Sequence, residues 1–253
     1  MDVQPDLSLC IFGPLEEESL AGLLDAADAA ADPLSVEAVV VTGRRKAAAL
    51  NPRFPRALFF ETDQDETPPV AGNRALRLAS GRYLALFTAA ALFSSESLLQ
   101  LVTFLDDRPE VGLAGPRLQT AGGFTLPTAG SFPSPLRLLA TAARTSVGIQ
   151  PGLLTAPSFS REVDWLAGNG LIIRREVLDE IGLLAEELAF LWDLEYGLRA
   201  WRAGWHAFFL REVRMGCPFS LPVPAGAGSL LAESGRYLRR LWLGRPSAPR
   251  REF

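Results

Sequence analysis

At 253 residues, with 48% hydrophobic and 21% charged side chains, the chain can bury a full core as one α/β domain, and disorder is not its expected state. A net charge of −4 gives no general attraction to nucleic acid. Two cysteines, Cys10 and Cys217, make no disulfide framework, and no apolar run reaches the roughly 18 residues a membrane span needs. The start, MDVQPDLSLC, has neither a basic region nor a long apolar one, so no signal peptide is expected; a reducing, cytoplasmic setting is.

In chain order, Leu7 to Phe12 reads as a short buried strand broken by Gly13-Pro14. Glu16 to Ala31 reads as a helix, with acidic residues in its first turn and Leu20, Leu23, Leu24 and Ala27 on one face. Val36 to Val41 is a β-branched strand, and residues 44–49 start a short helix. Strands follow at Ala57 to Phe60, Tyr83 to Phe87 and Val111 to Ala114, alternating with helices at Pro69 to Ala79 and Ser95 to Leu105. This alternation predicts a mostly parallel sheet with helices on both faces, and such sheets place ligands outside the carboxyl ends of their strands. Residues 120–160 are rich in Gly, Pro, Ser and Thr, with one helix at 135–144, and read as an excursion over one face. Then come an apolar strand at LIIRR, a short helix to Ile181, and a helix over Leu194 to Ala203. Strands at 206–210 and 213–217, a Pro/Gly linker at 220–228 and a last helix at 230–243 complete the chain, and no repeat is present.

The block from Val163 to Trp205 holds Trp165, Gly168, Arg174-Arg175, Asp193, Leu198-Arg199 and Ala203-Gly204-Trp205 in that order. It resembles the acceptor half of family-2 glycosyltransferases, rhamnosyltransferase-like ones above all. The segment from Ala79 to Leu118, and Asn73 in AGNRALRLASG, extend the resemblance to residues 7–217. The resemblance implies an α/β fold of the GT-A type, with a mostly parallel sheet, a nucleotide-sugar half over 7–119 and an acceptor half over 120–219. Residues 220–253 would be a linker and a basic amphipathic helix. It also implies a nucleotide-sugar donor, a glycan or lipid-linked acceptor, and inverting transfer.

Such transfer needs a base for the acceptor hydroxyl and positive charge for the departing diphosphate. The family meets the second need with Mg or Mn on an Asp-x-Asp motif after the fourth strand. Here that place reads Leu86-Phe87-Thr88-Ala89-Ala90-Ala91, with Thr88 and Ala90 where carboxylates would stand, so no metal is assigned. Thr42-Gly43 replaces the nucleoside-holding Asp, and Gly216-Cys217-Pro218 replaces a His. The acidic loop Glu61 to Glu66 reads as solvated, with Thr67 capping a helix that opens on Pro68-Pro69. Arg44 and Arg45 could meet a diphosphate or stand as an exposed turn. Thr42, Asn73 and Thr88 complete the weak nucleotide-side set.

On the acceptor side Asp193 matches the family's base and equally suits a helix N-cap. Glu195 matches a second acid and also sits four residues before Arg199, at salt-bridge spacing. Trp165 suits sugar stacking or plain burial. Gly168 and Gly170, flanking Asn169, allow close approach of a ligand or form a tight turn. His206, the single histidine, cannot build a triad alone. The tail over 235–253 carries arginines beside Tyr237, Leu238, Leu241 and Trp242, a pattern suited to an anionic membrane surface or to docking on the domain itself. Two functions stay open: a metal-independent sugar transferase, or an inactive relative serving as glycan binder or partner of an active transferase.

Overall fold

The computed structural model describes residues 4–30, 33–62, 66–146, 152–217 and 227–243. The first half lays down β1 (Leu7–Phe12), α1 (Glu17–Ala29), β2 (Val36–Gly43), α2 (Arg44–Leu50), β3 (Leu58–Thr62), α3 (Pro68–Leu78), β4 (Tyr83–Phe87), α4 (Ser95–Asp106) and β5 (Val111–Gln119). The second half adds β6 (Ala129–Gly130), α5 (Pro135–Ser146), β7 (Leu154–Thr155), β8 (Arg161–Val163), β9 (Trp165–Leu166), β10 (Leu171–Arg174), α6 (Arg175–Ile181), α7 (Trp192–Arg202), β11 (His206–Gly216) and α8 (Ala227–Leu243).

Eight strands form one sheet in the order β3-β2-β1-β4-β10-β5-β11-β8. Its strands run parallel except β10, which lies antiparallel between β4 and β5, and β8, which lies antiparallel on β11. β1 and β4 are buried throughout, as apolar strands covered on both faces must be. One face packs Leu9, Ile11, Phe87, Leu98 and Leu101 under α1 and α4. The other packs Cys10, Phe12, Leu86, Ile173, Trp192 and Tyr196 under α3, α6 and α7. The chain moves to opposite sides after β1, since β2 and β4 are its two neighbours, so the crevice expected at a topological switch point opens at the ends of β1 and β4. A second sheet, β7-β6-β9, covers part of the α7 side.

β5 runs five residues beyond its expected end, through Pro116. β10 pairs only with Leu113 and Ala114, so the proline lies past that ladder, where a missing N–H costs little. The two expected strands at 206–217 are one strand, β11, with an irregular register between Leu210 and Arg214. No described helix is long and apolar enough to cross a membrane.

The last helix docks on its own domain. Tyr237 is fully buried and Leu238 partly so, in a cluster with Leu138, Trp165, Leu191, Leu194 and Leu198. The described part of the apolar face read in the tail is therefore spent on intramolecular packing. The side chains of Leu241 and Trp242, residues 244–253, residues 218–226 with all of the expected 220–228 linker but the two residues that open α8, and Asp63 to Asp65 of the acidic loop lie outside the described residues.

Candidate active site

The backbone from Gly168 to Gly170 joins β9 to β10 and threads the open end of the sheet. Gly170 has φ of +74°, a conformation glycine adopts without strain, and its N–H donates to the Leu86 carbonyl at 2.8 Å. Asn169 is 3% exposed, and its Oδ1 accepts from the Thr88 and Ala89 N–H groups, both at 3.1 Å. Its Nδ2 is buried without a partner. The Asn-Gly turn thus ties itself to the loop that follows β4. Gly168 is required by close approach: a β-carbon there would lie 2.0 Å from the Trp192 ring. That ring sits 6.4 Å from the ring of Phe12, at the end of β1.

Asp193 completes the arrangement. Its Oδ2 accepts from the Gly168 N–H at 3.1 Å, and its Oδ1 accepts from the Leu194 N–H at 2.8 Å. The side chain is half-buried. Burial pushes its carboxyl up to about 7, the two N–H donors pull the other way, and the negative charge of Glu233 adds to the rise. With one donor on each oxygen, each retains a lone pair for a further proton.

Asp193 does not stand at the N-cap as its type suggested. α7 begins at Trp192 and its N-cap is Leu191. Asp193 takes up one first-turn donor, that of Leu194, while the capping carboxylate arrives from α8: Glu233, 3% exposed, accepts from the N–H groups of Ala189, Phe190 and Leu191 at 3.0, 2.9 and 3.1 Å. Nothing in the local sequence pointed to Glu233, because it lies 42 residues from the helix end it serves.

Two acceptor-side residues need correction. Glu195 is 1% exposed, with Arg199 Nε at 2.9 Å and Arg240 Nη1 at 2.7 Å. It is the buried hub of an ion-pair network joining α7 to α8, so it has no free face for a sugar. Trp165 is 3% exposed, with Gly130 and Gly197 packed so closely that a β-carbon on either would fall within 2.7 Å of it. It fills the core and cannot stack on a ligand.

The nucleotide-side set is dispersed. Asn73 is 1% exposed and clamps the loop before α7: its Nδ2 donates to the Leu184 carbonyl and to Glu186, and its Oδ1 accepts from the Leu184 N–H. It holds α3 to the second half of the chain and is not available to a nucleotide, a third correction of role by burial. Arg44 is open to solvent and pairs with Glu61 at 3.3 Å, and Arg45 is exposed beside it. Thr42 is buried in β2 opposite Glu61 of β3. Thr88 is half-buried, next to the buried Ala90 and Ala91. The loop closes at Leu92, which exchanges two hydrogen bonds of 2.7 Å with Gly216 at the end of β11. Alanine methyls cannot bind a metal, and no group of three or more His, Cys, Asp or Glu that could hold an ion occurs among the described residues. The residues at this place do not fit the ion.

A largely parallel sheet of this order, flanked by helices and with its open end at the β1–β4 switch, is of the GT-A type of glycosyltransferase fold. Solved structures agree. The crystal structure of GalNAc-T7 with UDP, GalNAc and Mn2+ superposes with a TM-score of 0.64 at 13% identity, over 94% of this chain and 48% of that one. The mannosyltransferase PcManGT of Pyrobaculum calidifontis, in complex with GDP-Man and Mn2+, gives 0.58 at 17% identity, over 98% and 67%. TarS of S. aureus gives 0.61 at 16% identity, over 96% and 40%. The chain spans about half or less of the first and third of these. At such identities the likeness carries the fold alone. No protein-family model matches the chain, and no curated protein does.

Proposed function

We propose that the protein transfers a sugar from a nucleotide sugar to a glycan or lipid-linked acceptor, with inversion, with Asp193 as general base and without the metal that this fold commonly uses. The observation that carries the reading is Asp193 itself: a half-buried carboxylate at the switch-point end of the sheet, raised to about 7 and held by two backbone donors. A base works best near ambient pH, where it is ionised and still takes a proton readily. The acceptor oxygen attacks the anomeric carbon on the face opposite the leaving group. Its proton passes to Asp193, the bond from the anomeric carbon to the phosphate oxygen breaks, and the nucleoside diphosphate departs with the electron pair. On this reading residues 7–119 bind the donor and 120–219 the acceptor.

A second reading, a relative that binds glycan or a partner transferase without turning over, draws support from one observation. The place of the metal carboxylates is occupied by Thr88 and the buried Ala90, and the amides of Thr88 and Ala89 are already bound by Asn169.

Thermal unfolding with UDP, dTDP and GDP and their sugars, each with and without manganese, separates the two. Saturation at about 100 times Kd adds about 2.7 kcal/mol, a shift on the order of 5 to 10 °C for this size. A shift with one nucleotide and no manganese dependence supports the transferase, and Asp193→Asn should then lower turnover by about 100-fold or more. No shift with any nucleotide selects the binding protein.

A further inference from the structure

The carboxyl ends of β5 and β11 gather three arginines that the site above does not use. Arg117 and Arg214 are register partners in parallel strands, so their side chains stand on one face of the sheet. Arg211 lies in the irregular stretch between Leu210 and Arg214. It is anchored there: its N–H donates to Ser160 Oγ at 2.8 Å and its Nη1 to the Pro157 carbonyl at 3.2 Å. Arg117 is 7% exposed, yet its Nε is buried with no hydrogen-bond partner. Burial, followed by the fields of Arg214 and Arg211, holds its guanidinium below the ordinary arginine range. The opposing acid is Glu212, which is exposed and accepts from Ser160 Oγ. Arg214 is exposed.

A buried guanidinium with an unmet donor, crowded by two like charges, opposes folding on every count. The same arrangement is what a bound oxyanion requires: a donor left unmet, positive charge in excess, and one arginine open to solvent. We propose that Arg117, Arg211 and Arg214 bind a phosphate-type oxyanion, with Arg117 as the buried donor and Arg214 as the solvent-exposed one. The group is either the diphosphate of a nucleotide or a phosphate carried by an acceptor. This assignment does not rest on the role given to Asp193.

Isothermal titration with inorganic pyrophosphate, and separately with UDP and GDP, tests it on the whole chain and on Arg117→Met, Arg214→Gln and Asp193→Asn. Pyrophosphate should bind the unaltered protein and the Asp193 variant alike, and should bind tenfold or more weakly to both arginine variants. Arg117→Met should melt no lower than the parent without ligand, because the orphaned donor is gone. Nucleotide binding tighter than pyrophosphate and lost with the same arginines assigns the donor's diphosphate. Pyrophosphate binding without nucleotide binding assigns an acceptor phosphate. No binding by the unaltered protein, or binding kept in Arg214→Gln, overturns the proposal. Arg214 is exposed, so that variant decides the matter even where Arg117→Met fails to fold.

Discussion

The two halves of the open sheet end treat their polar groups in opposite ways. On the β1–β4 side they are consumed internally: Asn73 is locked to Leu184 and Glu186, the Thr88 and Ala89 amides are held by Asn169, and Lys46 donates to the Leu15 carbonyl. On the β9–α7 side a carboxylate is supported and left with lone pairs to spare. A group whose hydrogen bonds are complete contributes stability, whereas one held by fewer bonds than it can form can act on a ligand. On the function proposed above, chemistry falls to Asp193, and the β1–β4 loops are structural.

Substitutions can sharpen or break this contrast. The largest effect is expected at Gly168→Ala, whose methyl must displace the Trp192 ring; a loss of about 3 kcal/mol, roughly 10 °C in Tm, should accompany loss of any Asp193-dependent turnover. An unshifted melting curve would show that the ring gives way freely. Asn73→Ala should cost about 2 to 3 kcal/mol, since it orphans the buried Leu184 N–H and carbonyl, while leaving the affinity for any nucleotide unchanged. Weaker nucleotide binding at full stability would instead return Asn73 to the donor site. Glu233→Gln should cost about 1 to 2 kcal/mol through a weakened cap, and should move the acid limb of a pH–rate profile to lower pH, because one negative charge near Asp193 is removed.

A pH dependence is expected as well. The Asp193 carboxyl is raised from 3.8 unfolded to about 7 folded. In that window the folded state holds the proton more tightly, so this group makes stability fall as pH rises from about 4 to about 7. Asp193→Asn should flatten that part of the Tm–pH curve, whatever its offset; an unchanged slope would mean the carboxylate is well solvated in the fold.

Much of the architecture follows from local pattern. The buried apolar runs of β1 and β4, the acidic first turn of α1 and the Pro68-Pro69 start of α3 are one-dimensional signals, because strand burial and helix termini depend on neighbours close in the chain. The Val163 to Trp205 block pointed to the GT-A type of fold, which the solved structures share. Its Arg174-Arg175 pair, however, gave no hint of its work. Arg175 donates to the Ala79 and Gly81 carbonyls and Arg174 to those of Leu105, Arg108 and Val111, neutralising the carboxyl ends of α3 and α4 from up to 96 residues away.

By itself, then, the sequence determined the alternation of elements, the parallel character of the sheet and the absence of carboxylates after β4. Tertiary structure alone decided which polar residues were spent. Glu195 and Asp193 sit two residues apart on one helix with the same charge, yet one is sealed between Arg199 and Arg240 and the other stands beside the Gly168 backbone with capacity left. The difference comes from partners 25 to 45 residues distant, Gly168 for Asp193 and Arg240 for Glu195. Burial and hydrogen-bond completion are properties of the assembled core, and no spacing along the chain encodes them.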